Sequence, residues 1–265
     1  AENSTSTSGP VSATVQPVPA APVAPLAGLT TLYTGNNTAR SIVNGINLAD
    51  NGGLVWTKGR DLTNNHRLYD TTRPTSPGPL SSNTPDEVAL ITGGVTGFND
   101  NGFELGSDDS CNYANKEFVA WSFGKAEGYF DVVEQTLTAS PAIINHGLGT
   151  TPGLIIGKNI DTNSDWICTW NGFQDNEYLI LNSLAKKQSI GLSVYYDRSA
   201  TSFGYNPGAI TGAGNYVFYI FAADTPNVIK CGSYIGNDST TGPIITTGFT
   251  PQWVLIKRAV VGNDS

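Results

Sequence analysis

The sequence is poor in charge, in methionine, in cysteine and in histidine. Of its 265 residues only 14% are charged, methionine is absent, and there are two histidines and three cysteines. The 14 basic residues are scattered along the chain, and 22 acidic residues outnumber them to give a formal net charge of −8. Binding to nucleic acids and docking on anionic membranes both need clustered cations. The composition therefore disfavours both kinds of partner.

The three cysteines, Cys111, Cys168 and Cys231, lie far apart in the sequence. The zinc and redox motifs built on a Cys-x-x-Cys pair are excluded, because no such pair is present. An odd number of widely spaced cysteines is typical of free thiols in a protein that folds in a reducing cytosol. One disulfide stays open as an alternative.

The sequence also lacks a long apolar run. Its longest apolar stretch, residues 216–223, is much shorter than the roughly 20 residues that cross a bilayer. No Lys or Arg precedes Arg40 and no apolar stretch follows the first residues, so the sequence predicts neither a signal peptide nor insertion into a membrane.

Glycine and small polar residues are abundant instead. Thirty glycines and many Asn, Ser and Thr residues suit short strands joined by turns. Segments rich in β-branched and aromatic residues, such as 130–134 and 193–196, alternate with Asn-Gly turn sequences. Helical periodicity is nearly absent, and only residues 86–90 and 181–190 are candidates for short helices. The sequence predicts an all-β fold.

The first 28 residues differ from the rest of the chain. Pro17, Pro19, Pro22 and Pro25 remove backbone donors and favour an extended polyproline II conformation. A segment of this composition buries too little apolar surface to fold alone. It is either a linker or an arm that becomes ordered by docking on a partner, and we adopt the docking arm as the working hypothesis.

Beyond this arm the chain repeats itself. Three similar segments each end in a lysine, namely GLVWTK at residues 53–58, GLIIGK at 153–158 and QWVLIK at 252–257. Their lysines are spaced 100 and 99 residues apart. Self-similarity at a fixed spacing is the signature of a repeated structural unit.

Two further markers follow the same period. FVAWSF at residues 118–123 matches YVFYIF at 216–221, and YTGN at 33–36 matches YIGN at 234–237. We therefore predict one module over residues 29–127, a second over 128–225, and the opening strands of a third over 226–265. About 100 residues with this many strands indicate tandem β-sandwich or jelly-roll-like modules. Two strands without a sheet to join are marginal, so the third copy is expected to need further chain or another subunit.

Catalytic motifs are missing from the sequence. There is no Gly-x-Ser-x-Gly elbow, no phosphate-binding glycine loop and no His-Glu-x-x-His. The two histidines, His66 and His146, do not occupy equivalent positions of the repeat, and each is expected to be a loop or turn residue. The sequence nominates no pair of carboxylates for glycoside hydrolysis. We predict a protein that is not an enzyme and holds no cofactor.

One segment resembles the first half of a calcium-binding loop. Residues 161–165 carry acidic or amide side chains at alternate positions. However, Trp166 stands where such a loop needs glycine, and Gly172 stands where it needs a bidentate glutamate. We therefore predict a polar hairpin turn and no metal site.

Aromatic side chains are the remaining candidates for ligand contacts, since flat rings stack on sugar faces. Trp56, Trp121 and Trp253 lie in strand-type segments and are expected in the core. The candidates for contact with a ligand or partner flank an Asn- and Asp-rich stretch or follow it: Trp166, Trp170, Tyr195 and Tyr196.

An ordered series of motifs runs through nearly all of the chain after residue 29. The motifs are GLVWTKGRD at 53–61, NNHRLYD at 64–70, SSN at 81–83, GFELGSD at 102–108, FVAWSF at 118–123, HGLG-x-x-PG at 146–153, KCGSY-x-GN at 230–237 and GF-x-P-x-WVLIKR at 248–258. This series resembles a recurrent module in virion structural proteins of tailed bacteriophages, many of them described as tail-fibre proteins. The resemblance implies a multi-module β protein that is made in the host cytoplasm and becomes part of the virion. It implies no catalytic residues.

The expected function is therefore that of a bacteriophage virion structural protein. We expect the virion-proximal part of a tail fibre, whose N-terminal arm docks on the tail or baseplate and which supports host attachment. A homotrimer is expected by analogy, because fibres commonly use threefold symmetry. The alternatives are a capsid decoration or baseplate protein, and a module that binds host surface polysaccharide.

Overall fold

The structure is a computed structural model that describes residues 28–259. Strands make up 39% of the chain and helices 5%, which confirms the predicted all-β fold. Among the described residues, no helix is long and apolar enough to cross a membrane. The docking-arm candidates Pro17, Pro19, Pro22 and Pro25 lie outside the described residues.

Residues 28–124 form two antiparallel sheets. Their strands are β1 (Gly28–Thr34), β2 (Arg40–Val43), β3 (Gly53–Gly59), β4 (Arg67–Asp70), β5 (Leu80–Ser81), β6 (Val95–Asn99), β7 (Gly102–Leu105) and β8 (Glu117–Gly124). The first large sheet has the order β1-β8-β3-β4-β5, and the first small sheet the order β2-β7-β6. Two single-turn helices, α1 (Leu48–Asn51) and α2 (Asp109–Asn112), are capped by the side chains of Asn47 and Asp108.

Residues 130–222 form a second pair of antiparallel sheets. Their strands are β9 (Phe130–Leu137), β10 (Ala142–Asn145), β11 (Pro152–Asn159), β12 (Ile167–Trp170), β13 (Glu177–Ile180), β14 (Gln188–Ser189), β15 (Tyr195–Tyr196), β16 (Ser202–Tyr205) and β17 (Gly214–Ala222). The second large sheet has the order β14-β13-β12-β11-β17-β9, and the second small sheet the order β10-β16-β15. A single turn of 3-10 helix, Pro207–Ala209, precedes β17.

The strand order of the first pair of sheets recurs in the second. In both large sheets the aromatic strand, β8 or β17, lies between the first strand and the lysine-bearing strand. Lys58 of β3 pairs with Val119, and Lys158 of β11 pairs with Val217. The first two lysine-terminated segments therefore occupy equivalent places in equivalent sheets.

The third copy of the repeat does not form the predicted opening strands. A short hairpin joins β18 (Asp224–Thr225) to β19 (Ile229–Lys230), and no strand follows it in residues 231–259. We call these residues the C-terminal segment. In the first two copies the lysine-bearing strand pairs with the aromatic strand on one side and with β4 or β12 on the other. The described residues contain no equivalent strands that could pair with the third copy, and residues 231–259 form no strand.

The two suggested short helices are also absent. Residues 86–90 are extended, because Ala89 and Ile91 donate their backbone N–H groups to Pro79 and Pro77. Residues 181–190 contain the turn between β13 and β14, where Leu181 donates its N–H to the carbonyl of Trp166. Hydrogen bonds to distant backbone replace the local bonds that a helix would need.

The two large sheets pack face to face. One shared hydrophobic core contains Leu54 and Trp56 of β3 together with Ile156 of β11 and Tyr219 and Phe221 of β17. The opposite face of each large sheet packs on its own small sheet, in two further cores. The molecule therefore has four layers, with small sheets outside and large sheets inside. Burial of both faces explains why the large-sheet strands are nearly continuous apolar runs.

A buried polar network joins the two large sheets. The Asp70 carboxylate at the end of β4 accepts a hydrogen bond from the Tyr219 hydroxyl of β17, at 2.8 Å. The same carboxylate pairs with the Arg73 guanidinium through Nη2 at 2.7 Å and Nε at 2.8 Å. Removing such an ion pair from water is costly, and hydrogen bonds within the protein must offset this cost. Here one oxygen of the carboxylate accepts hydrogen bonds from three donors.

Candidate functional site

Two equivalent lysines each close the loop that follows their strand. Lys158 Nζ donates to the carbonyls of Asn159 at 2.7 Å and Thr162 at 3.0 Å, one and four residues ahead. Lys58 Nζ makes the same two kinds of bond, at 2.6 and 2.7 Å. Burial lowers the pKa of both ammonium groups, and that of Lys158 falls to about 8. This pattern assigns the lysines a loop-closing role that the sequence repeat alone did not explain.

A polar cleft of about 510 Å³ lies beside Lys158, between the two pairs of sheets. It is lined by Pro85, Ile210, Thr211 and residues 162–165. Two of these lining residues also bind Lys158 Nζ, through the carbonyl of Pro85 at 3.1 Å and the hydroxyl of Ser164 at 3.3 Å. The hydrogen bonds of Lys158 therefore hold Pro85 and Ser164 in place in the wall of the cleft.

The calcium-like segment folds as a polar loop at this cleft. Asp161 accepts hydrogen bonds from the backbone N–H and the side-chain amide of Asn215, at 2.8 and 3.2 Å. Asp165 accepts a bond from the side-chain amide of Asn182 at 2.8 Å. Both carboxylates therefore bind other parts of their own chain. In residues 28–259, no three His, Cys, Asp or Glu side chains are grouped as a metal site requires.

Two of the four predicted contact residues are in the core, which corrects that prediction. Trp166 is fully buried in the core between the large sheets, and its indole N–H donates to the carbonyls of Ser81 and Thr84 at 2.9 and 3.1 Å. Tyr195 is fully buried between the second large and small sheets, and its hydroxyl donates to the carbonyl of Ile167 at 2.9 Å. Neither ring has a free face for a ligand.

The other two predicted contact residues are half-buried. Trp170 meets Phe173 edge-on, with ring centroids 5.8 Å apart. Tyr196 lies over Gly204 of the neighbouring strand β16. The four predicted residues thus split between two cores and two separate surface positions, and the structure does not bring them together.

The C-terminal segment carries an exposed apolar surface that the sequence did not predict. Its large apolar side chains exposed to solvent are Tyr234, Ile235, Ile244, Ile245, Val254, Leu255 and Ile256. These seven are nearly half of the 15 exposed large hydrophobic residues in the described part of the chain. Because large exposed apolar patches are typical of sites of interaction with other macromolecules, this segment is a candidate for such a contact.

Trp253 anchors this segment to both pairs of sheets. Its ring lies 5.3 Å from Phe123 of β8 and 5.9 Å from Phe221 of β17, measured between centroids. Gln252 accepts a hydrogen bond from the Thr30 hydroxyl, and Ala259 accepts one from the backbone N–H of Lys187, both at 2.9 Å. The segment thus runs across the edge of the core between the large sheets. The prediction that Trp253 packs in the core is confirmed in part, since its ring is partly buried there.

The three cysteines are free thiols, which confirms that prediction. Cys111 and Cys168 are buried, and Cys231 is partly buried. Burial raises the pKa of the Cys168 thiol to about 12 and that of Cys231 to about 11, so neither is a ready nucleophile at neutral pH.

Comparison with known proteins gives one family. No curated protein and no solved structure matches the chain. One family model, described as a domain of unknown function, DUF7483, matches residues 29–264. The match begins within β1 and includes both pairs of sheets and the C-terminal segment. The chain therefore belongs to the DUF7483 family.

Proposed function

We propose that this chain is a structural protein of a tailed-bacteriophage virion, forming the virion-proximal part of a tail fibre. In this proposal the protein is not an enzyme, holds no cofactor, assembles in the host cytoplasm and supports host attachment. The ordered motifs that resemble virion proteins led to the proposal. The observation that carries it is the exposed apolar surface of the C-terminal segment, because such a surface suits a protein built into a larger assembly.

The packing of the large sheets also suits a mechanically rigid part of a fibre. The shared core and the Asp70–Tyr219 hydrogen bond join two modules without a flexible linker between them. A tail fibre must hold its tip at a defined position relative to the virion. Two modules that share one core resist bending at the junction between them. In the proposed fibre, three copies associate and the arm of residues 1–28 docks on the tail or baseplate.

The location of the chain in intact particles tests the proposal. Antibodies against the folded chain, with gold labels seen by electron microscopy, should mark fibres at the tail of purified particles. Absence of the chain from purified particles, measured by mass spectrometry, would remove the virion assignment altogether.

The docking role of the arm has its own test. Deletion of residues 1–28 should prevent fibre attachment while leaving the chain folded, because it removes only the first residue, Gly28, of the described sheets. Particles that incorporate the shortened chain normally would refute the role of the arm.

Copy number separates the fibre from its nearest alternative. A capsid decoration protein is present in hundreds of copies per particle, and a fibre subunit in at most a few tens, as symmetry requires. Quantitative mass spectrometry against the major capsid protein distinguishes the two. A label at the baseplate without visible fibres would favour a baseplate component.

Binding of host polysaccharide is the second candidate function, and only the half-buried aromatic residues favour it. Trp170 and Tyr196 are half-buried, whereas Trp166 and Tyr195 are fully buried. Trp170→Ala or Tyr196→Ala should weaken binding of the full chain on an array of bacterial glycans. Absence of any glycan signal from the wild-type chain would exclude this function.

A further inference from the structure

The sequence contains four Asn-Gly pairs, at residues 44–45, 51–52, 101–102 and 171–172. Such a pair is chemically reactive, because glycine has no side chain to hinder its backbone nitrogen from attacking the amide carbon of the preceding asparagine. The attack requires a glycine N–H that is free of hydrogen bonds and an asparagine side chain that is free to turn. The fold meets both conditions at one of the four pairs.

Asn44 is held in place by its own side chain. It is buried, with 7% of its surface exposed, and its amide nitrogen donates to the Ser122 hydroxyl at 2.9 Å. Its amide oxygen accepts the backbone N–H of Ile46 at 3.0 Å. The side chain cannot turn toward the nitrogen of Gly45 without breaking both bonds.

The glycine is engaged in two further pairs. The Gly52 N–H donates to the carbonyl of Leu48 at 3.1 Å and closes the single turn of α1. Gly102 is a buried residue of β7, paired with Asn99 of β6 on one side and with Val43 of β2 on the other. Attack by either glycine requires local opening of the backbone first, which slows the reaction.

The fourth pair, Asn171 and Gly172, lies in an exposed turn that follows β12. The turn is closed by the backbone N–H of Phe173, which donates to the carbonyl of Trp170 at 2.9 Å. Asn171 and Gly172 occupy the central positions of this turn, and both are exposed. Within residues 28–259, neither the Gly172 N–H nor the Asn171 side chain forms a hydrogen bond. The attacking nitrogen and the amide are therefore both free.

We propose that Asn171 is a site of spontaneous deamidation in the folded protein. The Gly172 nitrogen loses its proton and forms a bond to Cγ of Asn171, while the bond from Cγ to Nδ2 breaks and ammonia leaves. Water then opens the resulting cyclic imide at either of its carbonyl carbons. One opening gives aspartate and the other gives isoaspartate, and the chain gains one negative charge in both cases.

The isoaspartate product changes the turn as well as its charge. Isoaspartate routes the main chain through the side-chain carbon and adds one methylene to the turn between Trp170 and Phe173. The guanidinium of Arg198 donates to the carbonyls of both residues, at 3.2 and 3.1 Å. A longer turn moves these two carbonyls apart, so the isoaspartate product should lose contacts of Arg198.

The first module supplies a matched unreactive residue. The Thr71 N–H donates to the carbonyl of Gly53 at 3.0 Å, as the Asn171 N–H does to that of Gly153 at 2.9 Å. Thr71 therefore occupies the same place in the first module. Asn171→Thr should keep the turn while removing the reactive amide.

Peptide mapping by mass spectrometry, after incubation of the full chain at mildly alkaline pH, tests the proposal. In the folded wild type, deamidation should be roughly tenfold or more faster at Asn171 than at Asn44, Asn51 and Asn101, because these three react only after hydrogen bonds open. In urea the four pairs should react at similar rates, because the fold no longer separates them. Fragmentation that detects isoaspartate identifies the product. The control Asn171→Thr should show no such product at this position and should leave the other three rates unchanged.

Two results would overturn the proposal. One is folding that slows the reaction at Asn171 as much as at the other three pairs. The other is a folded chain in which Asn171 stays unmodified while the chain in urea reacts. Either result would mean that the turn holds the amide away from the Gly172 nitrogen. The experiment uses the purified chain, so its outcome is independent of the virion assignment.

Discussion

At the scale of single residues, Lys158 places a charge inside a β protein with neutral oxygens as its direct partners. Its Nζ lies within hydrogen-bond distance of three carbonyls and one hydroxyl, and the nearest carboxylates act only through space. The hydrogen bonds hold the following loop in place. Burial still disfavours the charged form, which is why the pKa of this lysine falls to about 8.

This shift predicts a stability that depends on pH. The folded pKa of about 8 lies below the ordinary value of 10.5, so the unfolded chain binds more protons between these values. The free energy of unfolding should therefore rise with pH across this window, by up to about 3 kcal/mol from this group. Urea unfolding of the wild type and of Lys158→Met at pH 8 and 10 measures the contribution of Lys158. The variant has no titrating group at this position, so its stability should lack this part of the rise.

Lys186 is exposed, and Lys186→Met serves as the control. The free energy of unfolding of this variant should rise with pH as it does for the wild type. Parallel stability curves for the wild type and Lys158→Met would contradict the argument.

The hydroxyl of Tyr219 is a second residue with a specific structural role. It donates to the buried carboxylate of Asp70 on the opposite large sheet. Tyr219→Phe keeps the ring but removes this donor, and should lower the free energy of unfolding by about 1–3 kcal/mol. The control is Tyr178→Phe, since the Tyr178 hydroxyl makes no hydrogen bond with described residues. Equal effects of the two substitutions would show that the bond between the sheets is not stabilising.

At the scale of elements, the C-terminal segment is held to the body mainly by one aromatic side chain. Trp253 packs against Trp56, Phe123 and Phe221, whereas its neighbour Val254 points to solvent. A segment without strand partners depends on such an anchor, because it has few backbone hydrogen bonds to oppose the entropy of release.

Removal of this anchor should therefore be costly. Trp253→Ala is expected to lower the free energy of unfolding by about 2–4 kcal/mol, as for other large aromatic residues that pack in a core. Hydrogen exchange should also accelerate in residues 250–259 before it does in the sheets. Val254→Ala is the matched control and should change stability by less than about 0.5 kcal/mol. Unchanged exchange in Trp253→Ala would mean that other contacts hold the segment.

At the scale of the whole molecule, the two modules are not independent folding units. The inner face of each large sheet is covered mainly by the other large sheet, so an isolated module would expose Trp56 and Leu54, or Ile156 and Phe221, to water. Exposure of apolar surface to water costs roughly 25 cal/mol per Å², so separation of the two modules is strongly unfavourable.

We therefore expect a single cooperative unfolding transition. Differential scanning calorimetry should give one peak whose calorimetric and van't Hoff enthalpies agree for the whole chain. A variant that breaks the shared core, Ile156→Asp, should destabilise both modules together. Two resolved transitions in the wild-type chain would contradict a shared core.

Much of the fold was accessible from the sequence alone. The fixed spacing of Lys58 and Lys158 predicted two equivalent strands, because segments of the same length and apolar pattern fold in the same way. The turn residues and the lack of helical periodicity predicted the all-β class. The loop-closing bonds of the lysines were not predicted, since no local pattern marks which carbonyls a lysine will reach.

Only the tertiary structure determined which face of each element is covered. The sequence shows that Trp166 and Tyr195 are aromatic residues near polar loops, but not that a second sheet lies over each ring. It likewise shows that residues 252–257 match a strand, although no strand forms where no partner strand is present. Alternation along a chain determines which side chains share a face, because it is a property of the backbone. Burial of that face depends on distant segments, and so only the assembled sheets determine it.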